Sequence, residues 1–260
     1  MTRQGLYCFT PDGMLLSESH HCSSERLHFL LALAQAKFRS IVKVNASDGP
    51  LRVDERYHRR PPRGGLVVDV SGKILLEQGA MRDALLINPR NASLSRDHLW
   101  VAESEAEAMA PRQLKVGFTY PMPLSLAVRL ARFHLVDNIR GEPPMWTTQQ
   151  IRALKVNLEV VKVEADVATV KLTGFVHLAT ARRSRTYAPA LFGELVYDAK
   201  KRTLTRFDAL ALGRASGEGI YTRGCPEGKF SLGIAFTLAD MRRVASQVPP
   251  QGAHSIEEYL

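Results

Sequence analysis

From Lys155 onward the chain changes its hydrophobic period from 3.6 to 2, and no other feature restricts its fold so far. The segments 156–164, 168–179, 191–197, 203–212 and 230–238 read as strands. In the last of them Phe230, Leu232, Ile234, Phe236 and Leu238 alternate with small or polar residues, so they share one face of a sheet. Asp166 and the run Asp198-Ala199-Lys200-Lys201-Arg202 stand where tight hairpin turns belong. Consecutive hairpins build an antiparallel meander, which must bury its apolar face against another layer. The segment before the meander supplies that layer. Pro123 suits a first helical turn, and Leu124, Ala127, Val128, Ala131 and Leu135 form an apolar stripe behind it.

The N-terminal region reads as a separate unit. Leu6 to Thr10, Pro11-Asp12-Gly13 and Met14-Leu15-Leu16 spell strand, turn, strand. A helix follows, capped by Ser23 or Ser24 with Glu25 in its first turn, and Leu27, Leu30, Leu31, Ala34 and Phe38 recur at helical spacing. Turn residues at 45–50 and the Arg-Pro-Pro-Arg segment at 60–63 cannot continue a helix. The expectation is an α+β fold in which a β-hairpin plus helix (1–45) and a linker (46–65) precede a larger domain (66–248). In that domain a curved antiparallel β-meander packs on a central helix, and residues 249–260 form a fraying tail. Within it, Gly65 to Val70 reads as a strand that Ser71-Gly72-Lys73 turns into Ile74-Leu75-Leu76. Residues 77–100 look irregular up to a short strand at His98 to Val101, and Glu103 to Ala110 reads as an acidic helix.

Composition excludes several functions. With 45% hydrophobic residues in 260, the chain can bury a proper core. Its longest apolar run, Leu27 to Ala36, falls far short of the roughly 20 residues that cross a bilayer. Met1 to Gly5 carries charge but no apolar stretch, so no secretory signal is expected; as written the chain reads as cytoplasmic, with an envelope location only if a leader has been removed. Cys8, Cys22 and Cys225 are odd in number and lack CxxC spacing, which argues against a disulfide framework and a zinc knuckle. His20-His21-Cys22 carries soft ligands, but neighbours in an extended segment point to opposite sides; metal and cofactor stay unassigned. The +9 net charge gathers in four basic runs, at 56–63, 182–185, 200–202 and 242–243. Three of them sit at turns or linkers and none belongs to a recognisable nucleic-acid module, so specific nucleic-acid binding is not expected.

Reactive side chains are densest between Phe133 and Trp146. There His134, Asp137 and Asn138, spaced i, i+3, i+4, share one face of a helix. In a catalytic reading His134 is a general base or metal ligand, Asp137 orients it, Glu142 assists and Arg140 holds an anion near Trp146. His177 from a second element would complete a metal site. In a structural reading His134 caps a core face, Asp137 and Asn138 hold the following loop, and the proline pair with Trp146 fixes the path into the sheet. His177 falls on the polar face of its strand with Thr169, Lys171, Thr173 and Phe175. The glycine-rich segment 213–228, with Tyr221 and Arg223, is long for a hairpin connection and is a candidate binding loop. It is not a phosphate loop, and the chain has neither a GxSxG elbow nor HExxH. Two functions follow. One is a non-catalytic protein that binds a small molecule or another protein through its sheet and this loop; the alternative is a metal-assisted or acid/base hydrolase centred on His134 and Asp137. The open strand edge of the N-terminal hairpin also offers a route to homo-oligomers.

Several stretches resemble uncharacterised planctomycete-type bacterial proteins. These are Thr2 to Gly13, the Arg-Arg-Pro-Pro-x-Gly-Gly segment at 59–65, Asp97 to Val101, Arg132 to Asn138, Tyr197-Asp198, and Arg206-Phe207-Asp208 ahead of Ala211-Leu212-Gly213. The resemblance implies a bacterial origin and makes the first segment the closing hairpin and helix of a thioredoxin-like domain. It implies no mechanism, since this chain carries no CxxC.

Overall fold

A computed structural model describes residues 5–10, 14–19, 23–41, 60–182, 184–254 and 256–260. The chain divides into two units, Met1–His58 and Arg59–Leu260. In the first, β1 (Leu6–Phe9) pairs antiparallel with β2 (Leu15–Ser19), and α1 (Ser24–Ser40) follows. Ser23 caps α1, its side chain accepting from the Arg26 N–H. Of the predicted helix stripe only Leu30 and Ala34 are buried; Leu27, Leu31 and Phe38 stay exposed, as does His28. The turn at Pro11-Asp12-Gly13, the His20-His21-Cys22 cluster and most of the linker lie outside the described residues.

The second unit is built on one eight-stranded antiparallel sheet. Its strands are β3 (Leu66–Leu75), β4 (Ser95–Val101), β5 (Thr119–Pro121), β6 (Ile151–Glu164), β7 (Val167–Ala179), β8 (Thr186–Asp198), β9 (Thr203–Ser216) and β10 (Lys229–Leu238). They lie in the order β4-β3-β10-β9-β8-β7-β6-β5, so the five-strand meander is intact and β3 adds beside its last strand. Between them run α2 (Gln78–Ile87), α3 (Glu103–Ala108) and α4 (Leu124–Arg129), and α5 (Ile256–Tyr259) follows β10. The α+β class is as expected from periodicity.

One face of the sheet is the core. Val68, Val70 and Ile74 of β3, Val156, Leu158 and Val160 of β6, and Phe230, Leu232, Ile234 and Phe236 of β10 pack with Leu126, Leu130 and Leu135 from α4 and its continuation. Phe236 is 1% exposed, as its alternation predicts.

Four expectations are corrected. Ser71-Gly72-Lys73 makes no turn: β3 runs straight through ten residues because β4 and β10 pair with it on both sides. Residues 78–87 are helical, although every stripe position except Ala84 remains at least partly exposed and the pattern was correspondingly faint. β8 begins at Thr186 rather than Leu191, passing through Pro189, where the ladder to β7 is interrupted while that to β9 continues. The tail does not fray, since Tyr259 is buried among Val67, Trp100, Phe133 and Ala253.

Candidate functional site

The helix that carries the predicted cluster ends early. α4 passes into a π-helical turn over Leu130–His134, and Leu135 leaves helical geometry at φ −84, ψ 56. Asp137 and Asn138 therefore lie beyond the helix and share no helical face with His134. The extra residue in the π turn sends the two acid/base candidates to different partners.

His134 is 2% exposed and is hydrogen-bonded at one ring nitrogen, with a carboxylate beside the other. Its Nε2 lies 2.6 Å from the Tyr259 hydroxyl, which also accepts the Trp100 N–H at 3.2 Å. With Tyr259 giving its single proton to this contact, Nε2 accepts and the ring hydrogen lies on Nδ1; with the hydrogen on Nε2, the Tyr259 oxygen accepts instead. Nδ1 sits 3.2 Å from Asp97 Oδ2, at an oblique angle rather than in line for a hydrogen bond. Asp97 also accepts the Gln251 N–H at 2.8 Å. Burial alone would raise the Asp97 carboxyl, but His134 and the N–H groups of Gln251 and His98 outweigh it and hold the pKa below its ordinary value. Burial pushes the Tyr259 hydroxyl up.

A second buried knot adjoins this one. Arg129 donates to Glu105 Oε2 at 2.5 Å, to the Trp100 carbonyl, and to the main-chain oxygens of Tyr259 and Leu260. Glu105 also accepts from Ser125 and the Ala102 N–H. Burial would raise this carboxyl too; hydrogen bonds from Arg129, Ser125 and Ala102 bring it below its ordinary value. Together the two knots fasten Gln251 and Tyr259 to the edge strand β4.

Asp137 pairs with Arg140 instead. Arg140, also 2% exposed, donates to Asn91 Oδ1 at 2.8 Å and to the Thr222 carbonyl at 3.1 Å, while Asn91 donates to the carbonyls of Ala84 and Gly224. The glycine-rich loop is thereby tied to α2 and to the exit of the central helix. Trp146 is buried, its indole N–H donating to the Leu135 carbonyl at 2.8 Å, and Arg185 stacks 3.9 Å from the centre of its ring. Burial lowers the Arg185 pKa, partly offset by Asp137. Arg185 and Asp137 line a cavity of about 20 Å³, room for one water. Glu142, His177, Tyr221 and Arg223 are exposed. His177 projects from the face of β7 opposite the core, so the sheet separates it from His134. Among the described residues no group of three His, Cys, Asp or Glu side chains is placed to hold a metal ion, and no helix is long and apolar enough to cross a membrane.

Open surfaces lie elsewhere. A groove of about 800 Å³ runs between α2 and the start of β10, lined by Leu75, Ala80, Ala84, Leu86, Ile87 and Phe230, with Arg214 and Lys229 among its charged residues. Another, of about 710 Å³, follows the β5–β6 edge along Phe118, Tyr120, Met122, Leu124 and Leu154, with Arg112 and Lys155 beside it. The first continues through Leu75, Arg214 and Ser231 onto the outer sheet face. On that face Phe175, Phe192, Leu212 and Leu75 are 50, 45, 38 and 44% exposed. Sequence reasoning named the sheet as a binding surface but missed the groove and the apolar residues left on the outer face. Its signal is the unbroken apolar character of Ala188 to Phe192 and Ala209 to Leu212, which marks strands apolar on both faces. In comparisons with known families, characterised proteins and solved structures, nothing matches this chain.

Proposed function

We infer that this is a non-catalytic binding protein whose recognition surface is the α2–β10 groove together with the adjoining outer face of the sheet. The observation that carries this reading is the continuity of an open groove of about 800 Å³, lined by apolar and charged side chains alike, with a sheet face that exposes Phe175, Phe192, Leu212 and Leu75. Contiguous apolar surface of this kind marks a place where something else binds. It is favoured over a hydrolase because His134 has no open side from which a substrate could reach either ring nitrogen, and because Asp137 is engaged by Arg140. The N-terminal unit fits the same role, for its two-stranded sheet leaves Phe9 and Leu15, and its helix Phe29 and Leu31, exposed to a partner.

An anilinonaphthalene sulfonate dye tests the groove. The wild-type protein should bind it saturably, and Ala80→Trp, which fills the groove from an exposed helical position, should abolish the saturable signal without lowering the melting temperature. Undiminished binding in Ala80→Trp would remove the groove from the reading.

A further inference from the structure

The strand registers sort the outer face into four cross-strand rows, each two residues from the next. The first runs His177, Ala188, Arg214, Ser231 and Leu75. The second runs Lys155, Phe175, Ala190, Leu212, Gly233 and Lys73, and the third Asn157, Thr173, Phe192, Leu210, Ala235 and Ser71. The fourth runs Glu159, Lys171, Glu194, Asp208, Thr237 and Asp69. The middle of the face is thus apolar, its charge is positive on one side, and on the other it is predominantly negative. At Gly233 there is no side chain, and a Cβ placed there would meet Leu75, Leu212 and Leu210 at 3.2 to 3.9 Å, so these leucines close over the backbone into a continuous surface.

A pattern ordered basic, apolar, apolar, acidic is complementary to itself under one operation. A two-fold axis lying parallel to the rows, midway between the second and third, reverses the strands and places the first row over the fourth and the second over the third. It leaves each strand over its own copy. Arg214 then faces Asp208 on β9, Lys155 comes over Asn157 beside Glu159 on β6, and Lys73 over Ser71 beside Asp69 on β3. The leucines and phenylalanines meet in between. The alternative axis, parallel to the strands, keeps each row over its own copy; centred between β8 and β9 it would set Asp208 over Glu194 and leave Arg214 over Ala188.

We propose that the outer sheet face is a homodimer interface in which two copies stack face to face with antiparallel strands. This rests on the reading of that face as a recognition surface and names its partner. Aligned sheets pack with their strand directions about 30° apart, which this geometry accommodates. Six strands at about 4.8 Å and four rows about 6.8 Å apart span roughly 24 by 20 Å. Side-chain relief and the neighbouring groove carry that plane toward the roughly 800 Å² per partner of a stable interface. The interface is isologous and closed, so it ends at the dimer and leaves no apolar face open to further growth.

Sedimentation equilibrium of the full chain, from micromolar to sub-millimolar protein, tests the geometry. The wild type should follow a monomer–dimer equilibrium. Arg214→Glu and Asp208→Arg should each weaken dimerisation about tenfold or more, because each sets like charges against one another across the axis. The double variant Arg214→Glu/Asp208→Arg restores opposite charges and should regain most of the affinity. Within the chain Asp208 pairs with Arg206 and Arg214 donates to Ser231 and the Lys229 carbonyl, but these are exposed contacts worth little, so the melting temperature should stay close to wild type in all three proteins. A protein monomeric at every concentration, reversals without effect, or a double variant no better than the worse single one would overturn the proposal. Should the protein be monomeric while Ala80→Trp still abolishes dye binding, the dimer fails and the binding reading stands; dimerisation with the charge-swap pattern but undiminished dye binding in Ala80→Trp reverses that outcome.

Discussion

On the core side of the sheet the polar groups are many and most are engaged: His134 on Tyr259 and beside Asp97, Arg129 on Glu105 and three carbonyls, Arg140 on Asp137, Asn91 and Thr222, while Trp100 Nε1, His134 Nδ1 and Arg185 Nε make no hydrogen bond among the described residues. On the outer side the residues are chemically plain, yet Phe175, Phe192 and Leu212 stand open to solvent. Residue type alone would assign function to the first face and mere structure to the second. Unspent binding capacity suggests the opposite. A buried group whose partners are all internal has little left to offer a ligand, whereas exposed apolar area still has a favourable transfer to make.

The sharpest way to break this contrast is to remove a member of the buried knots. Arg129→Met leaves Glu105 buried without its cation and strips the Trp100, Tyr259 and Leu260 carbonyls of a donor. It should destabilise the protein by about 3 to 5 kcal/mol in urea denaturation, and a loss below about 1 kcal/mol would show that the knot is ornamental.

Substituting phenylalanine by alanine on each face compares them directly. Phe236→Ala, on the core face, should cost about 3 to 5 kcal/mol. Phe192→Ala, on the outer face, should change monomer stability by no more than about 0.5 kcal/mol while weakening self-association. Equal effects on melting would mean that the outer face is covered within the monomer.

Smaller changes probe His134 itself. Tyr259→Phe removes the acceptor of the Trp100 N–H and the partner of His134 Nε2, for a loss of about 1 to 3 kcal/mol. Amide exchange should speed up first in residues 251–260, the segment that Tyr259 anchors. His134→Gln should cost about 1 to 2 kcal/mol and leave dye binding intact. Loss of a measured catalytic activity or of bound metal in His134→Gln, with folding unharmed, would return weight to the hydrolase.

Acid gives the smallest and most diffuse effect. Asp97 and Glu105 have pKa values below their ordinary 3.8 and 4.5 in the folded protein, so the folded state binds these protons less readily than the unfolded chain. Their contribution is complete above those ordinary values and fades as pH falls through the lowered ones. Stability should therefore drop on acidification below about pH 4.5, and Asp97→Asn should flatten that slope, read as denaturation midpoint against pH.

Much of this architecture is written in local pattern. The alternation from Phe230 to Leu238, the turn at Asp198 to Arg202 and the proline-opened helix at Leu124 follow from side-chain geometry within a few residues, and the structure reproduces all three. The reactive cluster was legible only as a composition. That His134 and Asp137 part company depends on a single π turn, and helical spacing cannot register one extra residue in a turn.

What the sequence determined by itself was therefore the class of fold and the succession of hairpins, because strand and helix periods are properties of adjacent residues. Only the tertiary structure decided that β3 joins β10, that α2 forms, that residues 251–260 lock onto His134 and Arg129, and which apolar residues remain outside. Each of these depends on partners more than sixty residues away or on a helix that buries almost nothing. Side chains so far apart leave no local period, and only packing brings them together.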